Sequence, residues 1–170
     1  MNSSQIRKQN TCCFTGHRAQ KLPWGTREDD PRCAGLKIRL YDQLEELYDR
    51  GIRHFICGMA QGSDLLFCEE ALKLRQDKGD ITVEAALPCP EQSGRWLPGQ
   101  QARYRELLAA CDFVTCLSQS YTADCMRRRN EYMVDKSCIL LAVYSGRYGG
   151  TMQTVNYAAR CGLEVIRLEP

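Results

Sequence analysis

Six short apolar runs, each followed by a segment of helical or turn character, organise this chain. The runs fall at residues 11–15, 54–57, 81–87, 112–117, 138–143 and 164–168, and they are compact and β-prone. Between the first two, Leu36, Leu40, Leu44 and Leu47 recur at helical spacing, with Gly51 as the closing residue. Leu65, Leu66, Phe67, Ala71 and Leu72 give the next helix a wide apolar face. Further helices are expected at residues 102–110, 126–135 and 154–161. Strands alternating with helices predict an α/β chain, a single-domain Rossmann-like doubly wound sheet, mainly parallel, with helices on both faces. The domain is expected over residues 11–170, after a polar, loose tail at 1–10. No internal repeat is visible.

The stretch from Arg53 to Lys73 carries the strongest local signal. His54 to Cys57 reads as a strand, and Gly58-Met59-Ala60-Gln61-Gly62 cannot continue it. Ser63 or Asp64 is the expected N-cap of the helix that follows. A helix starting directly after a strand turns free backbone N–H groups and a partial positive charge toward whatever lies beyond the sheet. Glycines let a ligand approach that backbone, which is how α/β proteins cradle phosphate. The plain alternative is a tight turn capped by Asp64 with no ligand.

In a doubly wound sheet the segments following the strands gather on one edge, and ligands bind there. Here those segments are Gly16-His17-Arg18, residues 58–64, 88–96, 118–121 and 145–151. Each carries glycine, hydroxyl, cationic or aromatic side chains, and their convergence predicts a ligand site. Gly58 and Gly62 with Gly149, Gly150 and Thr151 are expected to form two glycine walls around a phosphate. Neither is a P-loop, since no Lys follows Gly62, and neither is GxGxxG.

Arg18 is placed to hold phosphate bidentately, or is a surface cation. His17 is a hydrogen-bond donor, a general acid, or a structural histidine. Trp24 and Trp96 lie in two long irregular segments, 19–34 and 88–98, where either can stack on a base or anchor its loop. Arg127-Arg128-Arg129 points three ways at helical spacing, with a solvated face as the default. Asp64 binds a ribose hydroxyl, caps the helix, or serves as the carboxylate if the chain is an enzyme. Glu84 and Asp135 are candidate second carboxylates. Tyr121 and Asn130 are candidate polar contacts.

Composition narrows the function classes. Apolar residues make up 44% and charged residues 26%, ordinary for a globular chain. A net charge of +2 gives no global electrostatic case for nucleic acid or an anionic membrane. Eleven cysteines are scattered without a CxxC, and with only His17 and His54 no metal set forms. Many thiols without a disulfide framework, no signal peptide and no long apolar run give a cytoplasmic expectation.

The runs Cys13-Phe14-Thr15-Gly16-His17-Arg18, Gly58-Met59-Ala60-Gln61-Gly62-Ser63-Asp64, residues 88–96 with Gln92, Arg129-Asn130-x-x-Met133-Val134-Asp135, and Gly149-Gly150-Thr151-x-x-Thr154-Val155-x-Tyr157-Ala158 occur in this order. Together they resemble the YpsA/YoqJ-like family of the SLOG superfamily, found in bacteria and phage and largely of unknown function. That superfamily also holds the DprA and LOG proteins. The resemblance implies a Rossmann-like fold and a pocket for a nucleotide or nucleotide-derived ligand built around the two glycine motifs. The ligand, ADP-ribose-like among the possibilities, is expected to meet Gly16, His17, Arg18, Gly58, Met59, Ala60, Gly62, Ser63, Asp64, Gln92, Trp96, Tyr121, Arg129, Asn130, Gly149, Gly150 and Thr151. The resemblance also implies a homodimer. LOG enzymes carry a catalytic Glu three positions after the turn threonine, where this chain has Thr154, and a hydroxyl cannot replace that carboxylate. The expected function is a cytosolic sensor or regulator binding a nucleotide-derived ligand. The alternatives are a nucleotide hydrolase using Asp64 and a DprA-like single-stranded DNA-binding module.

Overall fold

A computed structural model of the chain describes residues 6–170. The elements run β1 (Thr11–Gly16), α1 (Pro31–Asp49), β2 (His54–Cys57), α2 (Ser63–Lys78), β3 (Thr82–Leu87), α3 (Pro98–Ala110), β4 (Phe113–Cys116), α4 (Cys125–Asp135), β5 (Ile139–Val143), α5 (Gly150–Arg160) and β6 (Glu164–Leu168). The strands form one six-stranded sheet in the order β4-β3-β2-β1-β5-β6, with every pairing parallel. The chain winds outward from β1 to β4, then returns to the other side of β1 for β5 and β6. The direction of winding therefore reverses between β1 and β5.

Alternate strand residues feed two cores. Cys12 and Phe14 of β1 pack with Phe55, Val83, Leu141 and the inward leucines of α1 and α2. Cys13, between them, faces the opposite way with Ile56, Ala86 and Leu140, against Met133 and Val134 of α4 and Ala158 of α5. Phe14 stacks on Phe67 with ring centroids 4.4 Å apart, which fixes α2 over β1. The buried cysteines of β1, β2 and α2 act as small hydrophobes, and burial pushes the thiols of Cys12 and Cys13 up.

Helix starts differ from the sequence expectation. The irregular segment expected over 19–34 stops at Asp30, whose side chain accepts the Arg32 N–H (2.9 Å) with Pro31 as first helical residue. Proline at that position begins a helix rather than extending a loop, and Pro98 does the same for α3. The cap of α2 is Gly62, neither Ser63 nor Asp64. The helix expected over 154–161 begins at Gly150. Of the expected tail, residues 1–5 lie outside the described residues, and Lys8–Asn10 form a 3-10 turn.

Among the described helices α4 and α5 pack on the second face, and beyond them β3 and β4 carry polar side chains there. His54 Nε2 donates to Glu84 Oε2 (2.9 Å), while Thr115 and Tyr132 donate to Glu84 Oε1 (2.7 Å each). Burial pushes the Glu84 carboxyl up, but these bonds outweigh it and hold it below its usual 4.5. Glu84 is thus engaged far from Asp64, and Asp135 accepts from Tyr157 (2.9 Å) instead. A lowered carboxyl stabilises the fold above pH 4.5, and that contribution is lost as pH falls through the folded value. Glu84→Gln is therefore expected to cost about 1–3 kcal/mol at pH 7. Urea titrations should show the gap to wild type closing below pH 4.5.

Candidate functional site

The reversal between β1 and β5 opens a crevice at the carboxyl ends of the strands, the location where doubly wound sheets take ligands. A cavity of about 230 Å³ lies there. Its walls come from the end of β1 (Gly16, His17, Arg18), the turn before α2 (Ala60, Asp64), one face of α4 (Met126, Arg129, Asn130) and the start of α5 (Gly150, Thr151). Gln20 and Lys21, from the 3-10 turn Ala19–Lys21, complete the rim. Nine residues expected from sequence are thus brought together. Lys21 and Gln20 were not expected, because they fall in a segment read as irregular loop.

Several other expected residues build the walls rather than line them. Gly58 gives its space to Arg129: a Cβ there would overlap the guanidinium, whose Nη1 donates to the Gly58 carbonyl. Gln92 Nε2 donates to the same carbonyl (2.9 Å). Gly62, at φ +96°, lets the backbone of residues 17–19 pass. Ser63 is buried and donates to the His17 carbonyl (2.6 Å). Met59, with φ +57°, is fully buried in the core. Gly149 caps α5 beside Lys21, whose Nζ donates to the Tyr148 carbonyl (2.7 Å). Trp96 lies half-buried in a different cleft, edge-on to Tyr104. Tyr121 is 68% exposed and lies away from the crevice.

His17 straps the two sides of the crevice. Its backbone N–H donates to the Val143 carbonyl (3.0 Å), and the Ser145 N–H donates to its Nε2 (3.0 Å). An Nε2 that accepts must be unprotonated, so the ring's proton sits on Nδ1. Burial, with Lys21, Arg147 and Arg167 nearby, lowers its pKa and keeps it neutral.

Charge inside the crevice is mainly positive. Arg129 is only 4% exposed, donates to the carbonyls of Gly58 and Ala86 and to Asn130, and has its pKa lowered by burial, with Asp64 opposing. Cys125, Arg129 and Met133 repeat at i, i+4, i+8 on the buried face of α4, a spacing that marks Arg129 as the inward arginine of the triplet. Arg127 pairs with Glu131 (2.8 Å) and Asp124 (3.6 Å), and Arg128 reaches Ser118. The run therefore presents no basic face. Arg18 is exposed on the rim, and its side chain has no ion pair or hydrogen bond among the described residues. The first N–H groups of α5, from Gly150 onward, have no acceptor within the helix, and a Cβ at Gly150 would meet nothing within 4 Å.

Asp64 is the crevice's carboxylate, 6% exposed. Its Oδ2 accepts the Ala60 N–H (3.1 Å), while Oδ1 has no partner among the described residues. Burial pushes its pKa up, with Arg129 and the Ala60 N–H opposing. Thr154 spends its hydroxyl on the Gly150 carbonyl (2.9 Å) inside α5. Among the described residues no group of three His, Cys, Asp or Glu side chains is placed to hold a metal ion. The arrangement suits an anion against α5 and the cations, with a hydroxyl-bearing group toward Asp64 Oδ1.

Fold and site together define a Rossmann-like module with a mainly positive crevice at the point where its winding reverses. A model of the YspA SLOG family matches residues 12–161, and the chain belongs to that family. It is 30% identical over 156 residues to the uncharacterized SPbeta prophage-derived protein YoqJ of Bacillus subtilis, covering 83% of this chain and 91% of that one. A UPF0398 protein of Halalkalibacterium halodurans is 30% identical over 134 residues, covering 77% and 70%. Among solved structures, DNA processing protein A (DprA) of Streptococcus pneumoniae superposes with a TM-score of 0.65 at 14% identity, over 96% of this chain and 51% of that one. DprA of Helicobacter pylori, described for its single-stranded DNA binding mode, gives 0.65 at 13%, over 99% and 69%. At such identities the likeness is one of fold, and this chain spans about half of the pneumococcal protein. No helix among the described residues is long and apolar enough to cross a membrane.

Proposed function

We propose that this chain binds a nucleotide or nucleotide-derived ligand in the crevice between β1 and β5, as a sensor or regulator. One observation carries the reading: Arg18, Lys21, buried Arg129 and the open start of α5 at Gly150 converge on one cavity of about 230 Å³. A phosphate set there takes N–H groups from α5 and a guanidinium from Arg18. A ribose hydroxyl donates to Asp64 Oδ1. A cytosolic location and a homodimer go with this reading as proposals.

Catalysis is not part of it. Thr154 stands where LOG enzymes have a glutamate, and its hydroxyl is committed to Gly150. A single strand of DNA would use the same phosphate contacts, and the DNA binding described for the similarly folded Helicobacter protein makes that ligand part of the test. The dispersal of Arg127, Arg128 and Arg129 argues for the smaller ligand.

Arg18→Ala tests the reading cleanly, because its side chain bonds nothing among the described residues. Calorimetric titration with AMP, ADP-ribose and a short oligodeoxynucleotide should show phosphate-bearing ligands losing about 10- to 100-fold in affinity. Melting temperature without ligand should stay unchanged. Equal affinities in wild type and variant would remove the crevice from consideration.

A further inference from the structure

The two long loops meet over a second cavity that the crevice does not explain. Trp24 and Trp96 both line it, in a space of about 430 Å³. Trp24 is buried in the core, and its Nε1 is a buried side-chain donor with no acceptor among the described residues. Trp96 stands half-buried, held edge-on by Tyr104 at 5.1 Å between ring centroids. Leu97, 75% exposed, leaves an apolar rim beside it. The carboxamides of Gln20 and Gln61, also in the lining, make no hydrogen bond among the described residues. Gln20 lines the crevice as well, so the turn Ala19–Lys21 is the partition between the two spaces.

We infer that this cleft is a nucleobase subsite, taking the heteroaromatic end of the ligand whose phosphate lies in the crevice. Aromatic and apolar walls suit a flat ring, and indole faces stack on any base. Free carboxamides pair with the mixed donors and acceptors along a base edge. A purely apolar guest would leave these groups unpaired. A phosphate alone would find no cation inside except the exposed Arg95. The inference rests on the crevice reading, since the cleft takes the base of a ligand anchored there.

The probes are AMP and ribose 5-phosphate, which differ by the base alone. In wild type AMP should bind more tightly and quench tryptophan fluorescence, while ribose 5-phosphate should not quench. Trp96→Leu should weaken AMP by about tenfold or more and leave ribose 5-phosphate unchanged. Gln61→Leu removes a carboxamide that bonds nothing among the described residues and should weaken AMP alone by several-fold. It also guards against a loop that collapses in Trp96→Leu. If both probes bind equally and neither variant separates them, the subsite is overturned and the crevice reading stands. If neither probe binds wild type, both fall together.

Discussion

Gly62→Ala should cost the fold about 3–5 kcal/mol, and thermal unfolding should show it as a drop of about 8–15 °C. The residue sits at φ +96°, and a Cβ would lie 2.6 Å from the Ala19 nitrogen, 2.8 Å from the His17 oxygen and 2.9 Å from the Arg18 carbon. All three are backbone atoms, so no side-chain rotation relieves the overlap. Relief requires moving the segment that carries His17 and Arg18, and the crevice with it. Gly150→Ala is the contrast: its Cβ meets nothing within 4 Å, so the fold should keep its melting temperature while phosphate affinity falls. The two glycines look alike in sequence, yet one admits the protein's own backbone and the other opens toward the crevice. An unaltered melting temperature in Gly62→Ala would refute this division.

Arg129→Met is expected to cost about 2–4 kcal/mol at neutral pH and to abolish phosphate binding. Methionine fills the volume but leaves the Ala86 carbonyl without this donor and Asp64 without its strongest compensating charge. The pH dependence separates the two losses. Burial already raises the Asp64 carboxyl above 3.8, so its ionised form weighs against the fold above the folded pKa, and this penalty fades as pH falls through that value. Removing Arg129 enlarges the penalty. The deficit of Arg129→Met should therefore shrink on acidification, and adding Asp64→Asn should recover part of it at pH 7. A double-mutant cycle in urea measures that coupling. A deficit independent of pH would mean the guanidinium matters only as a hydrogen-bond donor.

The strand pattern was legible because buried parallel strands are written as short apolar runs. His54–Cys57 and Glu164–Leu168 fall where the pattern put them. Helix starts were less legible, because Pro31 and Gly150 are loop-forming residues elsewhere and helix-starting ones here. The site divides similarly. Gly16, His17, Arg18, Asp64 and Thr151 could be placed from topology alone, since each follows or begins an element at one sheet edge. The true occupants of the space at Gly58 and Gly62 could not. They are Arg129 and the backbone of residues 17–19, contacts made across long sequence separations that no local pattern encodes. The place of Lys21 is not legible in the sequence, because it depends on a single turn of 3-10 helix.

The pairing of β1 with β5 also sets an order of assembly. Cys13 Sγ reaches the Ile139 carbonyl across 126 residues, whereas β1 through β4 pair with neighbours in sequence. During synthesis the unit from β1 to β4 can form while β5 is still unmade. Until β5 arrives, one edge of the central strand has unpaired backbone groups, and Cys13, Ile56 and Ala86 face outward without α4 and α5. Closing that loop comes late and is slow. The crevice lacks its α5 wall before then, so it is completed only at the end of folding. Any ligand held there favours the finished protein over its partly built predecessors.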